Sequence, residues 1–185
     1  MGIGGEVMRS AVFLDRDGVI NRPVMRERKP YSPHSLAELE LLPGVPQALQ
    51  ALKAGGYCLV VVTNQPDVGR GITPRSVVDA MHDWLQSVLP LDAVLTCIHA
   101  ADDQCQCRKP LPGLITQAAR DLRVECATSY MVGDRWRDVE AGRRAGCKTI
   151  FVDHAYDEPA PDWYDYRVGC LLDAAGIILQ ADLQS

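Results

Sequence analysis

Short apolar runs alternate with segments of helical periodicity along the chain. AVFL (11–14), CLVVV (58–62), AVLTC (93–97), SYMV (129–132) and KTIFV (148–152) are almost unbroken in their hydrophobicity. Strands read this way when both faces of a parallel sheet are covered. Between them, VPQALQALKAG (45–55), SVVDAMHDWLQSVL (76–89), GLITQAARDL (113–122) and WRDVEAGRRAG (136–146) have the spacing of amphipathic helices, and LLDAAGIILQ reads as a last one. Thr73-Pro74 and Pro112 stand at helix starts, Gly55 and Gly146 at helix ends. Strand–helix alternation requires crossover connections, so the expected architecture is α/β, a doubly wound and mainly parallel sheet. No repeat or low-complexity block divides the chain, and one domain is expected over 1–185, with 1–9 as a loose leader and HAYDEPAPDWYD (154–165) as a connection.

In such a sheet, ligands bind beyond the carboxyl ends of the strands. The residues that fall there, in chain order, are Asp15, Arg16 and Asp17, then Thr63 and Asn64, then Cys107, Arg108 and Lys109, then Gly133 and Asp134. Asp15 and Asp17 are two residues apart and share a face of an extended segment, with Arg16 looking away. Two buried carboxylates so close repel each other unless something cationic lies between them. Three carboxylates with few histidines suit a hard cation with oxygen ligands, Mg²⁺ before others. The Thr63 hydroxyl and the Lys109 ammonium suit phosphate oxygens. These are the parts of a phosphoryl-transfer site, in which one carboxylate attacks phosphorus and the other moves protons. Each motif alone also fits a turn or a helix cap; their common place at strand ends is what points to a site.

Composition narrows the setting. The formal net charge of −5 over 185 residues argues against a broad nucleic-acid-binding face. No apolar run approaches the roughly 18 residues of a membrane span, and MGIGGEVMRS lacks the pattern of a secretory signal. Seven cysteines without such a signal favour reduced thiols or a metal site in a reducing cytoplasm. Four soft ligands, Cys97, His99, Cys105 and Cys107, crowd into CIHAADDQCQC (97–107), which matches a tetrahedral Cys₃His zinc site. A complete shell leaves no open position, so the zinc is expected to be structural, fixing a loop that runs into Arg108-Lys109. NRPVMRERKPYSPH (21–34) sets Arg22, Arg26, Arg28 and Lys29 against Glu27. This basic stretch, with Arg108 and Arg135 near the same rim, suits a second, remote phosphate, or else is a solvated surface loop.

DRDG at 15–18, TN at 63–64, RKP at 108–110 and GDRWRD at 133–138 together resemble the haloacid dehalogenase superfamily. That resemblance implies a Rossmannoid core without a large cap domain, with Asp15 as a nucleophile forming an aspartyl-phosphate and Asp17 as general acid and base. It implies Thr63 and Lys109 on the phosphoryl oxygens, and Mg²⁺ held by Asp15, the Asp17 carbonyl and Asp134, with Asp138 as support at most. The zinc pattern is similar to a capless bacterial branch whose members act on D-glycero-D-manno-heptose 1,7-bisphosphate or on histidinol phosphate. DRDGVIN, TNQPDVGRG and CRKPLPG look closer to the former, which implies removal of the 7-phosphate, although Pro66-Asp67 departs from the small residue and glycine of many relatives. Substrate contacts are expected from Asn21, Arg22, Arg26, Asn64, Gln65, Arg108 and Arg135. The chain is expected to act as a monomer on a small phosphorylated sugar, with no nucleic-acid or membrane partner. The rival readings are a phosphatase for histidinol phosphate or another small phosphomonoester, a phospho-acceptor without turnover, and a zinc-loop interaction module.

Overall fold

The computed structural model describes residues 8–182. Six strands form one sheet: β1 (Ala11–Leu14), β4 (Cys58–Asn64), β5 (Ala93–Cys97), β6 (Tyr130–Gly133), β7 (Lys148–Val152) and β8 (Tyr166–Val168). Their order is β5-β4-β1-β6-β7-β8 and every pairing is parallel. The chain leaves β1 toward β4 and leaves β6 toward β7, so the strand order reverses between β1 and β6. That reversal opens the crevice in which ligands of doubly wound sheets sit.

The unbroken hydrophobicity of the strands has a direct cause. Val12, Leu14, Leu59 and Val61 face one core, while Ala11, Phe13, Cys58, Val60 and Val62 face another. Because successive residues point to opposite faces, a strand with two cores has no polar side. The first core is closed by α1 (Val45–Ala54), α3 (Arg75–Val88) and α6 (Leu171–Asp182). The second is closed by α4 (Gly113–Leu122) and α5 (Trp136–Ala145). The five strands and five helices expected from periodicity all form, with ends shifted by a residue or two.

Three elements went unforeseen. The basic stretch at 21–34 contains an antiparallel hairpin of β2 (Val24–Arg26) and β3 (Lys29–Tyr31), turned through Glu27 and Arg28 at positive φ. A single turn of helix, α2 (Pro66–Gly69), follows β4, and β8 is a three-residue edge strand. All are too short to carry a period. Residues 1–7 of the expected leader lie outside the described residues, but Arg9 bridges Val124 and so belongs to the fold. Among the described residues, no helix is long and apolar enough to cross a membrane.

Register delivers the site. Leu14 pairs with Val61 on one side and Val132 on the other, and the Asp15 amide donates to the Val132 carbonyl at 3.0 Å. Asp15 therefore leaves β1 between the ends of β4 and β6. Beneath this turn Arg16 is fully buried, its Nη1 within 3.1 Å of His82 Nε2 on α3. A guanidinium only donates, so His82 accepts at Nε2 and carries its proton on Nδ1, 3.4 Å from the Thr96 hydroxyl. Burial and the Arg16 charge push His82 down to about 4.

The His82 environment makes folding stability pH-dependent. Above about pH 6.5 the imidazole is neutral in both folded and unfolded chains. As the pH falls from there to about 4, the unfolded chain takes up a proton that the folded chain refuses, and stability declines. Chemical denaturation at pH 7.5 and pH 5 is expected to show wild type losing up to about 2 kcal/mol more than His82→Gln, which still accepts from Arg16.

Candidate active site

Lys109 is the hub of the crevice. Its side chain is 2% exposed, and its Nζ lies 2.8 Å from Asp15 Oδ1, 2.7 Å from Asp138 Oδ1 and 2.8 Å from the Val62 carbonyl. The backbone of Lys109 is clamped by Asn64, whose side-chain amide donates to the Lys109 carbonyl and accepts from its N–H, both at 3.1 Å. Asp138 reaches Lys109 because position 133 is glycine: a Cβ there would meet the Asp138 Cβ at 2.1 Å. The other Asp138 oxygen caps α5, accepting from the Arg135 N–H at 3.0 Å. Asp138 is thus a direct partner in the cluster, a larger part than the support expected of it.

Asp15, Asp134 and Asp138 each offer a carboxylate oxygen within 4.8 Å of the others. Both Asp134 oxygens are buried without a cationic partner or a well-aligned hydrogen bond, and the Tyr156 hydroxyl lies against the carboxylate. Gly18 sits directly against them at φ +90°, and a Cβ there would lie 1.9 Å from Asp134 Oδ2. Burial raises Asp15 to about 6, opposed by Lys109 and reinforced by the carboxylates of Asp138 and Asp17. Burial, then Asp15 and Asp138, raise Asp134 well above the carboxylate range. Three buried carboxylates around one ammonium are short of positive charge. Oxygen-only, close together and sharing a single ammonium, these groups fit a hard divalent cation such as Mg²⁺.

Asp17 is in a different electrostatic setting. Burial alone would oppose its ionisation, yet Arg16 and hydrogen bonds from Ser32, Asn21 and Gln65 hold its carboxyl below the usual range. Arg16 grips it through Nε and Nη2 at 3.0–3.1 Å, Ser32 Oγ donates at 2.7 Å, Asn21 at 2.9 Å and Gln65 at 3.0 Å. Arg16 does look away from the cavity, as expected, and from there it is also the main counter-ion of Asp17. Gln65 donates also to the Thr63 hydroxyl at 2.9 Å, so its amide hydrogens tie Thr63 to Asp17.

A cavity of about 210 Å³ opens over these groups, walled by Asp15, Asp17, Asn64, Arg108, Lys109, Arg135 and Asp138 together with Lys29 to Ser32 of the hairpin. Arg135 ties the hairpin to the core, donating to the Pro30 carbonyl at 2.5 Å and pairing with Glu158 at 3.4 Å. Of the expected substrate contacts, Asn64, Arg108 and Arg135 line this cavity; Asn21, Arg22, Arg26 and Gln65 do not. Arg22 pairs with Glu40 and Arg26 lies over the Tyr31 ring. Neither arginine borders the cavity, whereas Lys29, Pro30 and Tyr31 of β3 do, a placement that depends on tertiary packing the sequence does not show. Ser32 and Arg137 also border the cavity; neither was expected to contact substrate, although Arg137 lies within GDRWRD.

Cys97, His99, Cys105 and Cys107 converge beside this wall. The spacings are 3.6 Å for Cys97 Sγ to His99 Nδ1, to Cys105 Sγ, and for Cys105 to Cys107, and 3.2 Å for His99 Nδ1 to Cys107 Sγ. Tetrahedral zinc with ligand bonds of about 2.0–2.3 Å requires edges of roughly 3.6–3.8 Å; three of these edges match, and the His99–Cys107 edge is shorter. The His99 carbonyl takes a hydrogen bond from Arg108 Nη1 at 3.2 Å, which links the loop to the cavity.

The model of the haloacid dehalogenase-like hydrolase family matches residues 22–146. The chain is 36% identical over 157 residues to D-glycero-beta-D-manno-heptose-1,7-bisphosphate 7-phosphatase of Pasteurella multocida, covering 78% of this chain and 82% of that one. Identity to the protein of the same name from Bordetella bronchiseptica is 38% over 146 residues, covering 76% and 79%. The crystal structure of D,D-heptose 1,7-bisphosphate phosphatase from B. bronchiseptica, complexed with magnesium and phosphate, superposes with a TM-score of 0.81 at 32% identity. It covers 93% of this chain and 99% of that chain.

The Cys₃His geometry makes a measurable claim. Purified protein is expected to carry close to one zinc per chain by elemental analysis, and Cys107→Ser to lose most of it and to melt at lower temperature. Full zinc occupancy in that variant would remove Cys107 from the ligand set.

Proposed function

The chain belongs to the haloacid dehalogenase-like hydrolase family, and from that premise we propose that it is a Mg²⁺-dependent phosphatase that removes the 7-phosphate of D-glycero-β-D-manno-heptose 1,7-bisphosphate. The observation that carries this reading is the Lys109 cluster: a carboxylate held by a buried ammonium, beside an Asp134 without a cationic partner, at the floor of a cation-walled cavity.

Lys109 occupies Asp15 Oδ1, which leaves Oδ2 to attack phosphorus in line as the sugar oxygen departs. Asp17 delivers the proton to that oxygen and afterwards takes one from the water that cleaves the aspartyl-phosphate. Its present shell favours the carboxylate, the form needed for the second half. To act as acid it exchanges part of that shell for the leaving oxygen. Thr63, held to Asp17 through Gln65, and Lys109 hold the phosphoryl oxygens. Asp15, Asp134 and the Asp17 carbonyl hold Mg²⁺, with Asp138 adjoining. When bound, the ion balances the carboxylates and draws charge from the phosphoryl oxygens. Every group named comes from one chain, so the reading needs one copy only. Seven free cysteines suit a reducing compartment such as the cytoplasm.

The test is phosphate release with Mg²⁺ on both anomers of heptose 1,7-bisphosphate and on histidinol phosphate. The β anomer is expected to show the highest kcat/KM. Asp15→Asn is expected to lose at least about 10³-fold in kcat while melting near the wild-type temperature. Preference for histidinol phosphate would overturn the substrate, and retained turnover in Asp15→Asn would overturn the covalent route.

A further inference from the structure

The cavity wall holds more arginine than its carboxylates neutralise. Arg137, on the first turn of α5, borders the cavity with its Nε buried and without a hydrogen-bond partner. Its nearest carboxylate is Glu158, whose Oε2 lies 3.9 Å from Arg137 Nη2 and 3.4 Å from Arg135 Nε. One oxygen is therefore divided between two guanidiniums, and Arg137 has the weaker share. Arg108 faces the same space and makes only a bond to a neutral carbonyl, that of His99. Arg70, the next guanidinium along the wall, is already committed to Asp67 at 3.4 Å.

Like charges are not gathered in a half-buried cavity at no cost. Burial and the neighbouring charges of Arg137 and Arg70 hold Arg108 below its ordinary range. An orphaned buried N–H carries the desolvation penalty of a lost hydrogen bond. Both penalties disappear when an anion with several acceptor oxygens lies between the two forks, and phosphate matches guanidinium forks bidentately. Of the basic hairpin, Arg22 and Arg26 lie outside the cavity and Lys29 alone contributes a cation to its wall, as a point charge without a fork.

We propose that Arg137 is a specificity-determining residue: with Arg108 it binds the remote phosphate of a bisphosphate substrate, the group that is not cleaved, and so makes the cavity discriminate bisphosphates from monophosphates. The assignment rests on the reading of the cavity as a sugar bisphosphate site. The role expected of the basic hairpin thereby passes largely to the start of α5 and to Arg108 at the end of the cysteine loop.

The experiment measures kcat/KM for heptose 1,7-bisphosphate and for heptose 7-phosphate, the same sugar without the remote group, and takes their ratio. Arg137→Ala is expected to lower the ratio roughly 10- to 100-fold, the range that a charge-assisted hydrogen bond supports. Arg137→Lys, which keeps the charge and loses the fork, is expected to fall between that variant and wild type. Arg144→Ala, an exposed arginine paired with Glu140 on the same helix, controls for loss of charge alone and should keep the ratio. Thermal melts of each variant separate folding from binding. A fall of less than about threefold in Arg137→Ala, with the bisphosphate preference of wild type intact, overturns this assignment and leaves the proposed substrate standing. A wild type that shows no preference for the bisphosphate overturns both.

Discussion

The ammonium of Lys109 has almost no water and three oxygen partners, two of them ionisable. Removing one partner of such a buried pair typically costs about 3–5 kcal/mol, because the other charge is left uncompensated. Much of the surrounding structure serves that constraint. Gly133 admits Asp138 beneath the end of β6, Asn64 locks the Lys109 backbone to the end of β4, and the cysteine loop brings the chain back at this point. The same contacts that stabilise the lysine aim the free oxygen of Asp15 into the cavity.

Charge balance explains why the two carboxylates of DRDG differ. Asp17 is surrounded by donors that favour its carboxylate, whereas Asp15 and Asp134 are pushed toward the neutral form by burial and by neighbouring carboxylates. A divalent cation reverses that push at Asp15 and Asp134 and leaves Asp17 as it was. The arrangement gives the two carboxylates opposite proton affinities, although only one residue lies between them in the chain. Arg16, that one residue, produces the difference by folding back onto Asp17 and accepting no solvent.

The hairpin and the segment around Glu158 form the outer half of the site. They are joined through Arg135, which donates to Pro30 and pairs with Glu158. Ser32 carries the link inward to Asp17. These are polar contacts between irregular segments, in contrast to the apolar packing of the sheet, and they set the shape of the cavity while the sheet sets the position of the reacting groups.

Much of this was legible in the chain itself. Unbroken apolar runs follow from burial on both faces, so β1, β4, β5, β6 and β7 announced themselves, and with them the rim where Asp15, Thr63, Lys109 and Asp134 meet. The Cys₃His cluster was equally plain, because four soft side chains within eleven residues are close whatever the fold does. β8 and the hairpin left no trace, since three residues cannot display a period. Ser32 on Asp17, Gln65 between Thr63 and Asp17, and Arg137 in place of Arg22 and Arg26 at the cavity wall were decided only in three dimensions. Local order and hydrophobic alternation are properties of neighbours in sequence and can be read there. A hydrogen bond or an ion pair across the cavity depends on register, on the turn of a hairpin and on which of two arginines reaches a shared carboxylate, and those are settled by packing alone.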